Sequence, residues 1–217
     1  MTRDTSAGAG TAHPAIVYPD FFHREMTPTW LRAATIALGR RTAPATDPYV
    51  WMELGCGAGM GALLTAPAHP EGRFIGLGID NIEFLHADVA DMARAADDAY
   101  PRCDFIVLHG VYAWVTPDTR AAIRQVIHRW LKPGGLVYLA YMSHPGASGL
   151  AAAQRLLRLS AGLRQGVGLL RQLEQSGAGY FVATPDMARQ LAHLEHEDDA
   201  YLAHEFTSAD WQPLHVA

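Results

Sequence analysis

Short apolar runs alternate with amphipathic stretches along the chain, and glycine, proline and threonine break them at intervals that suit buried strands joined by helices. The apolar runs are Tyr49 to Leu54, Arg73 to Leu77, Ile82 to His86, Asp104 to His109 and Leu136 to Tyr141. Helices are predicted from Pro28 to about Leu38, from Val89 to Ala99, and from Pro117 through Ala121, Ile123, Val126, Ile127, Trp130 and Leu131. In the first of these, Trp30, Leu31, Ala34, Ile36 and Leu38 supply the apolar surface, and Gly39 ends it. Thr27-Pro28, Thr116-Pro117 and Thr184-Pro185 each place a hydroxyl cap before a proline whose missing N–H costs nothing at a helix start. Lys132-Pro-Gly-Gly135 stops the third helix. The alternation predicts an α/β fold: a Rossmann-like, mostly parallel sheet of about five strands with helices on both faces.

Two segments depart from that rhythm. Only Gly78 to Asn81 separates the second strand from the third, whereas a parallel crossover takes about a dozen residues. A hairpin is therefore expected there, or the displacement of one strand from the sheet. Ser148 to about residue 200 reads as a helical insertion after strand five. Within it Arg155, Arg158, Arg164 and Arg171 lie among leucines, a pattern that fits a solvated arginine face over a buried leucine face, or an acidic partner or membrane surface. His193, Glu195, His196, Glu197, Asp198, Asp199, His204 and Glu205 match neither a zinc nor an EF-hand spacing, so no metal is expected.

At 217 residues, 49% hydrophobic and 18% charged, the chain is long enough to bury one substantial core, and length alone suggests one domain, residues 16–217, behind a disordered tail at 1–15. The tail has no apolar centre, so no signal peptide is expected and the cytoplasm is the expected compartment. Cys56 and Cys103 are too few for a disulfide frame. No apolar run reaches membrane-span length, and a net charge of -5 argues against nucleic acid as a partner. Strand five, with the chain stopping soon after Trp211-Gln-Pro213, is expected near an open sheet edge that favours self-association.

The candidate chemistry is concentrated at Glu53-Leu-Gly-Cys-Gly-Ala-Gly59, where the first strand runs through an acid into a glycine turn. Gly55 and Gly57 permit positive φ and close approach of a ligand, and Met60 to Ala66 can begin a helix with its free N–H groups facing the same place. A nicotinamide reading fails in one frame, because the third glycine falls at Met60, and is only weakly rescued by Gly57-x-Gly59-x-x-Ala62. Glu53 suits a cationic amino-acid ligand better than a pyrophosphate.

Glu53-x-Gly-x-Gly-x-Gly, a later strand followed by Asp88, and Leu131-Lys-Pro-Gly-Gly before a strand together resemble a class I methyltransferase that uses S-adenosylmethionine. Tyr18 to Leu31, His109 to Val115, Tyr138 to Gly146, Gly179-Tyr-Phe181 and Tyr201 to Phe206 with Trp211-Gln-Pro213 are similar to bacterial methyltransferases with a methyltransferase regulatory domain, a family that includes protein-lysine methyltransferases. Met142 stands where that family has an asparagine. The chain looks shortened between strands two and three and at its C-terminus. The resemblance implies that Gly55, Cys56, Gly57 and Gly59 hold the methionine part of the cofactor. It also implies that Glu53 orients the turn or the amino group, Asp88 meets the adenine amine, Asp80 substitutes for a ribose-binding acid, and His109 lines the methyl-donor pocket. Tyr112, Trp114 and Tyr141, just after strands four and five, are candidates to line the acceptor site, or to pack as ordinary core aromatics. The methyl acceptor would be a protein or a small molecule. A methyltransferase fold without competent cofactor capture is the other reading, given the short connection.

Overall fold

A computed structural model of the chain describes residues 22–42, 48–75, 82–83, 87–207 and 214–215. They fall into two compact units: a sheet unit, residues 20–147 with 210–217, and a helical unit, which includes 148–209. Length alone suggested one.

The sheet unit contains α1 (Pro28–Ala37), β1 (Tyr49–Glu53), α2 (Met60–Thr65), β2 (Gly72–Ile75), β3 (Ile82–Glu83), α3 (Val89–Arg94), β4 (Cys103–Leu108), α4 (Pro117–Trp130) and β5 (Leu131–Leu139). The strands form one sheet in the order β3-β2-β1-β4-β5, every pair parallel. Because side chains alternate along a strand, each run supplies two cores. Tyr49, Trp51, Phe74, Phe105 and Val107 pack with Met26, Ala62 and Ala66 on one face. Met52, Ile75, Ile106 and Leu108 pack against Met92 of α3 and Ile123, Val126 and Trp130 of α4 on the other. Both buried tryptophans satisfy their indole N–H: Trp51 donates to the Met26 carbonyl at 3.0 Å and Trp130 to the Met92 carbonyl at 3.3 Å.

Several expectations change. The second and third strands form neither a hairpin nor a displaced pair: Phe74 and Ile75 align in parallel with Ile82 and Glu83. A crossover helix becomes unnecessary because β3 is only two residues long. The chain has to return along about one strand residue and one strand spacing, which six residues span easily. β5 begins at Leu131, five residues before the predicted start, because the Lys-Pro-Gly-Gly segment enters the sheet through a register irregularity opposite Cys103 and Phe105. Gly134 takes φ +79° there. α3 ends at Arg94, short of Ala99. On α1 the apolar residues Trp30, Ile36 and Leu38 are exposed, and only Leu31 of the predicted face packs against the core. Thr27 and Thr116 cap α1 and α4 as expected, accepting from the N–H of Trp30 and Thr119.

β6 (Ser143–His144) pairs in parallel with β7 (Leu214–His215), so the end of the chain adds a small second sheet to this unit. Within the first sheet β5 is an edge strand.

The helical unit contains α5 (Ser148–Leu159), α6 (Leu163–Gln175), α7 (Gly179–Ala183), α8 (Pro185–Leu194) and α9 (Asp199–Leu202). Its own core holds Ala153, Leu157, Leu170, Phe181, Leu191 and Leu202. Thr184 does not cap α8; its hydroxyl instead donates to the Tyr180 carbonyl at 2.5 Å. The arginines meet the acidic cluster: Arg171 pairs with Glu174 and Glu195 at 3.1 and 2.6 Å, and Arg164 with Asp199 at 2.6 Å. No metal-binding group of His, Cys, Asp and Glu forms among the described residues, and no described helix is long and apolar enough to cross a membrane.

Trp130 is fully buried, with Tyr100 edge-on at 5.2 Å. Trp130→Ala should destabilise the sheet unit by about 3–5 kcal/mol through the cavity and the lost indole hydrogen bond. Urea unfolding monitored by circular dichroism checks this; a loss below about 1 kcal/mol contradicts the packing described here.

Candidate functional site

β1 and β4 are neighbours, and their carboxyl ends lie at the point where the strand order reverses, the position at which open parallel sheets bind ligands. Everything predicted from the glycine motif follows β1 directly. Gly55, Gly57 and Gly59 take φ values of +72°, +53° and +77°, a run that L side chains resist, and Gly59 becomes the N-cap of α2.

The three glycines do different jobs. A Cβ on Gly55 would come within 2.6 Å of a Val111 methyl, so that position is needed for packing against the loop after β4. A Cβ on Gly57 would meet nothing within 4 Å, so the bend there faces open space. A further glycine, Gly61, was missed by sequence reasoning, although it continues the alternation of glycines one step into α2. A Cβ there would lie 2.8 Å from Glu53 Oε2.

Glu53 thus turns beneath the start of α2, against the Gly61 backbone. Burial pushes its carboxyl up to about 7, opposed only by the N–H of Ala62. Its Oε2 is buried and has no hydrogen-bond partner among the described residues. A desolvated oxygen with an unused lone pair, on the residue that leads into a bend open at Gly57, is a fit for a cationic amino-acid group. Cys56 is half-buried, and burial followed by the Glu53 charge raises its thiol, which stays protonated.

His109 follows β4, with Nδ1 3.1 Å from the Tyr138 hydroxyl and its ring stacked on His23 at 3.4 Å. Burial and then the neighbouring His23 lower its pKa, with Glu25 acting the other way, so the ring is held neutral. His23 is a partner that nothing in the sequence pattern indicates. Tyr112 and Tyr141 come together with ring centroids 5.7 Å apart and planes tilted by 60°. Trp114 lies half-buried in the same loop, its N–H donating to the Val111 carbonyl at 3.0 Å. Asp88 is the N-cap of α3, accepting from the Ala90 N–H at 2.6 Å, which leaves its other oxygen for a ligand. Asp80 lies outside the described residues.

The family described as "Methyltransferase domain" matches residues 52–139, the stretch from β1 to the end of β5 that carries this geometry. The likeness to a methyltransferase domain lies within the sheet unit. The chain is 27% identical over 217 residues to the protein sll1526 of Synechocystis sp., covering 89% of this chain and 43% of that one. It is 32% identical over 121 residues to RP789 of Rickettsia prowazekii, covering 48% of this chain and 21% of the other. PKMT2 from Rickettsia typhi has a similar structure, with TM-score 0.71 and 23% identity over 91% of this chain and 41% of its own. The complex of that protein with AdoHcy gives TM-score 0.72 and 24% identity over 92% and 42%. The sheet unit therefore shares its fold with PKMT2, and the chain spans about two-fifths of the length of sll1526 and of PKMT2.

Between about pH 4.5 and 7 the folded protein keeps a proton on Glu53 that the unfolded chain has lost, so stability falls as pH rises through that window and levels off above it. Glu53→Gln preserves the shape and removes the titration. Relative to the parent, the variant should gain about 2–3 kcal/mol of stability between about pH 5 and pH 8. Urea midpoints at the two pH values decide it; a pH-independent difference contradicts the buried carboxyl.

Proposed function

We propose that the sheet unit binds S-adenosylmethionine across the carboxyl ends of β1 and β4 and transfers its methyl group to the amine of a protein lysine. The observation that carries this reading is the buried, unpartnered Glu53 Oε2 on the residue that leads into a glycine bend open at Gly57, in a stretch similar to a methyltransferase domain. When bound, the cofactor supplies an electrophilic methyl group on a sulfonium, and displacement in line by an amine needs alignment and exclusion of water more than acid–base chemistry.

The chain's own residues divide that work. Gly57 leaves room for the methionine portion, and Glu53, held against Gly61, offers Oε2 to its ammonium. Asp88 offers its spare oxygen to the adenine amine. His109, neutral and tied to Tyr138, lines the methyl-donor side without placing a positive charge against the sulfonium. Tyr112 and Tyr141 form an aromatic pair that desolvates the incoming lysine, lowers its amine pKa and holds the methylated ammonium by cation–π contact, with Trp114 of the loop after β4 as a further candidate for that wall. Edge strand β5 leaves backbone groups available for pairing with a second copy. A small-molecule acceptor would use the same wall.

A second reading, the fold without cofactor capture, has one observation in its favour: Asp88 already spends an oxygen on capping α3. Titration calorimetry with S-adenosylmethionine and its demethylated product separates the two. Binding, with tritiated methyl incorporation into a bacterial protein extract, supports the enzyme; a folded protein that binds neither compound supports the alternative. Gly57→Val puts a branched side chain into the open bend, with a backbone cost of about 1–2 kcal/mol. The variant should stay folded and lose cofactor binding, and unchanged affinity would move the site elsewhere.

A further inference from the structure

Away from the glycine turn, α3, α4 and the segment before β4 line an open groove of about 620 Å³. Ala93 and Ala121 are the small residues in its lining, and Arg102, Arg124, His128 and Arg129 supply its polar groups. No acid lines it, on a chain whose net charge is -5.

Two of the three guanidinium groups are held in place without an acidic partner among the described residues. Arg102 donates to the Arg129 carbonyl and lies over the Trp130 ring. Arg124 donates to the Tyr112 hydroxyl at 2.8 Å. Arg129 alone has an acid, Asp97 at 2.7 Å, and that carboxylate is 85% exposed. Arg102 and Arg124 therefore carry charges with no acidic partner among the described residues. Both are exposed, so the site is a surface groove suited to an extended ligand. Its donors are side-chain forks, which match carboxylates in two-point fashion. Arg124 and His128 stand one helical turn apart, about 6 Å, close to the ~6.8 Å between alternate side chains of an extended peptide.

We propose that this groove is a docking site for an acidic polypeptide segment, and that the segment belongs to the protein whose lysine is methylated. The second clause rests on the methyltransferase reading above. α4 begins where the chain leaves the carboxyl edge of the sheet, and Arg124 lies about 10 Å along it, the reach of three or four extended residues. Its bond to Tyr112 places the groove one side chain from the aromatic pair Tyr112–Tyr141. The preferred acceptor lysine accordingly has aspartate or glutamate three to five residues away.

The test uses the full chain and fluorescein-labelled poly-L-glutamate, with anisotropy as the readout. Binding should appear at low salt, weaken as salt rises, and fall by about tenfold or more in Arg102→Glu/Arg124→Glu. Arg124→Gln/His128→Gln, confined to exposed helix positions, should weaken binding in the same direction and serves if the double reversal unfolds. No binding, binding indifferent to both variants, or tighter binding of inorganic polyphosphate than of poly-L-glutamate overturns the proposal. Calorimetry with S-adenosylhomocysteine on the same samples keeps the two readings apart. Cofactor binding should be unchanged in the variants, and its absence from the parent would sink the methyltransferase reading while leaving the acidic-segment groove standing or falling on anisotropy alone.

Discussion

The parallel pairing of β1 with β4 is the constraint on which the rest of the sheet unit depends. Trp51 aligns with Phe105 and Glu53 with Val107, so the two strands end together. Asp104 secures that register from the other end, accepting the Val50 N–H at 2.8 Å and the Lys132 ammonium at 2.7 Å, and so ties three strands through one carboxylate. Connections from β1 lead outward to β2, and those from β4 lead outward to β5. The crevice between their carboxyl ends is consequently left clear. Residues with no sequence proximity, the Gly55–Gly59 bend and His109, reach the same edge because this register puts them there.

Where local chemistry decides conformation, the sequence was readable. The glycine bend, the Thr27 and Thr116 caps and the presence of five strands each follow from short-range rules about positive φ, orphan N–H groups and alternation. Tertiary partners decide the rest. The β2–β3 connection was misread because a dozen-residue crossover assumes strands of ordinary length, and nothing local announces that β3 is two residues long. Gly61 and Val111 escaped notice because their importance lies in what they touch: the Glu53 carboxylate and the Gly55 backbone. His23 is more than 80 positions from His109 and carries no spacing signal. The apolar residues of α1 have helical periodicity, yet Trp30, Ile36 and Leu38 face outward, so periodicity gave the helix and not its buried side.

Charge shows the same separation between composition and position. In the helical unit a basic run and an acidic cluster, each suggestive alone, answer one another through Arg171–Glu195 and Arg164–Asp199. Exposed pairs of this kind contribute little energy, but they commit the charges of Arg164 and Arg171 to acids within the unit. On α4 the arginines meet carbonyls and a phenol instead, so their charge remains available. Counting arginines would rank the first region above the second; tracing their acceptors reverses the ranking.

Glu53 remains the costly element of the design. A carboxyl pushed up to about 7 by burial makes the ligand-free sheet unit less stable at neutral and alkaline pH than an amide would, and nothing in the packing requires an acid there, since Gly61 and Ala62 would accommodate an isosteric neutral group. A cost of that kind is expected where a buried group waits for a partner of opposite charge, because the attraction withheld in the free protein becomes available on binding. The same low dielectric that raises the pKa of the empty site strengthens its contact with an ammonium. Cation capture would then return Glu53 to its ionised form and couple ligand binding to the release of a proton, a consequence that neither a purely structural glutamate nor a solvent-exposed one would have.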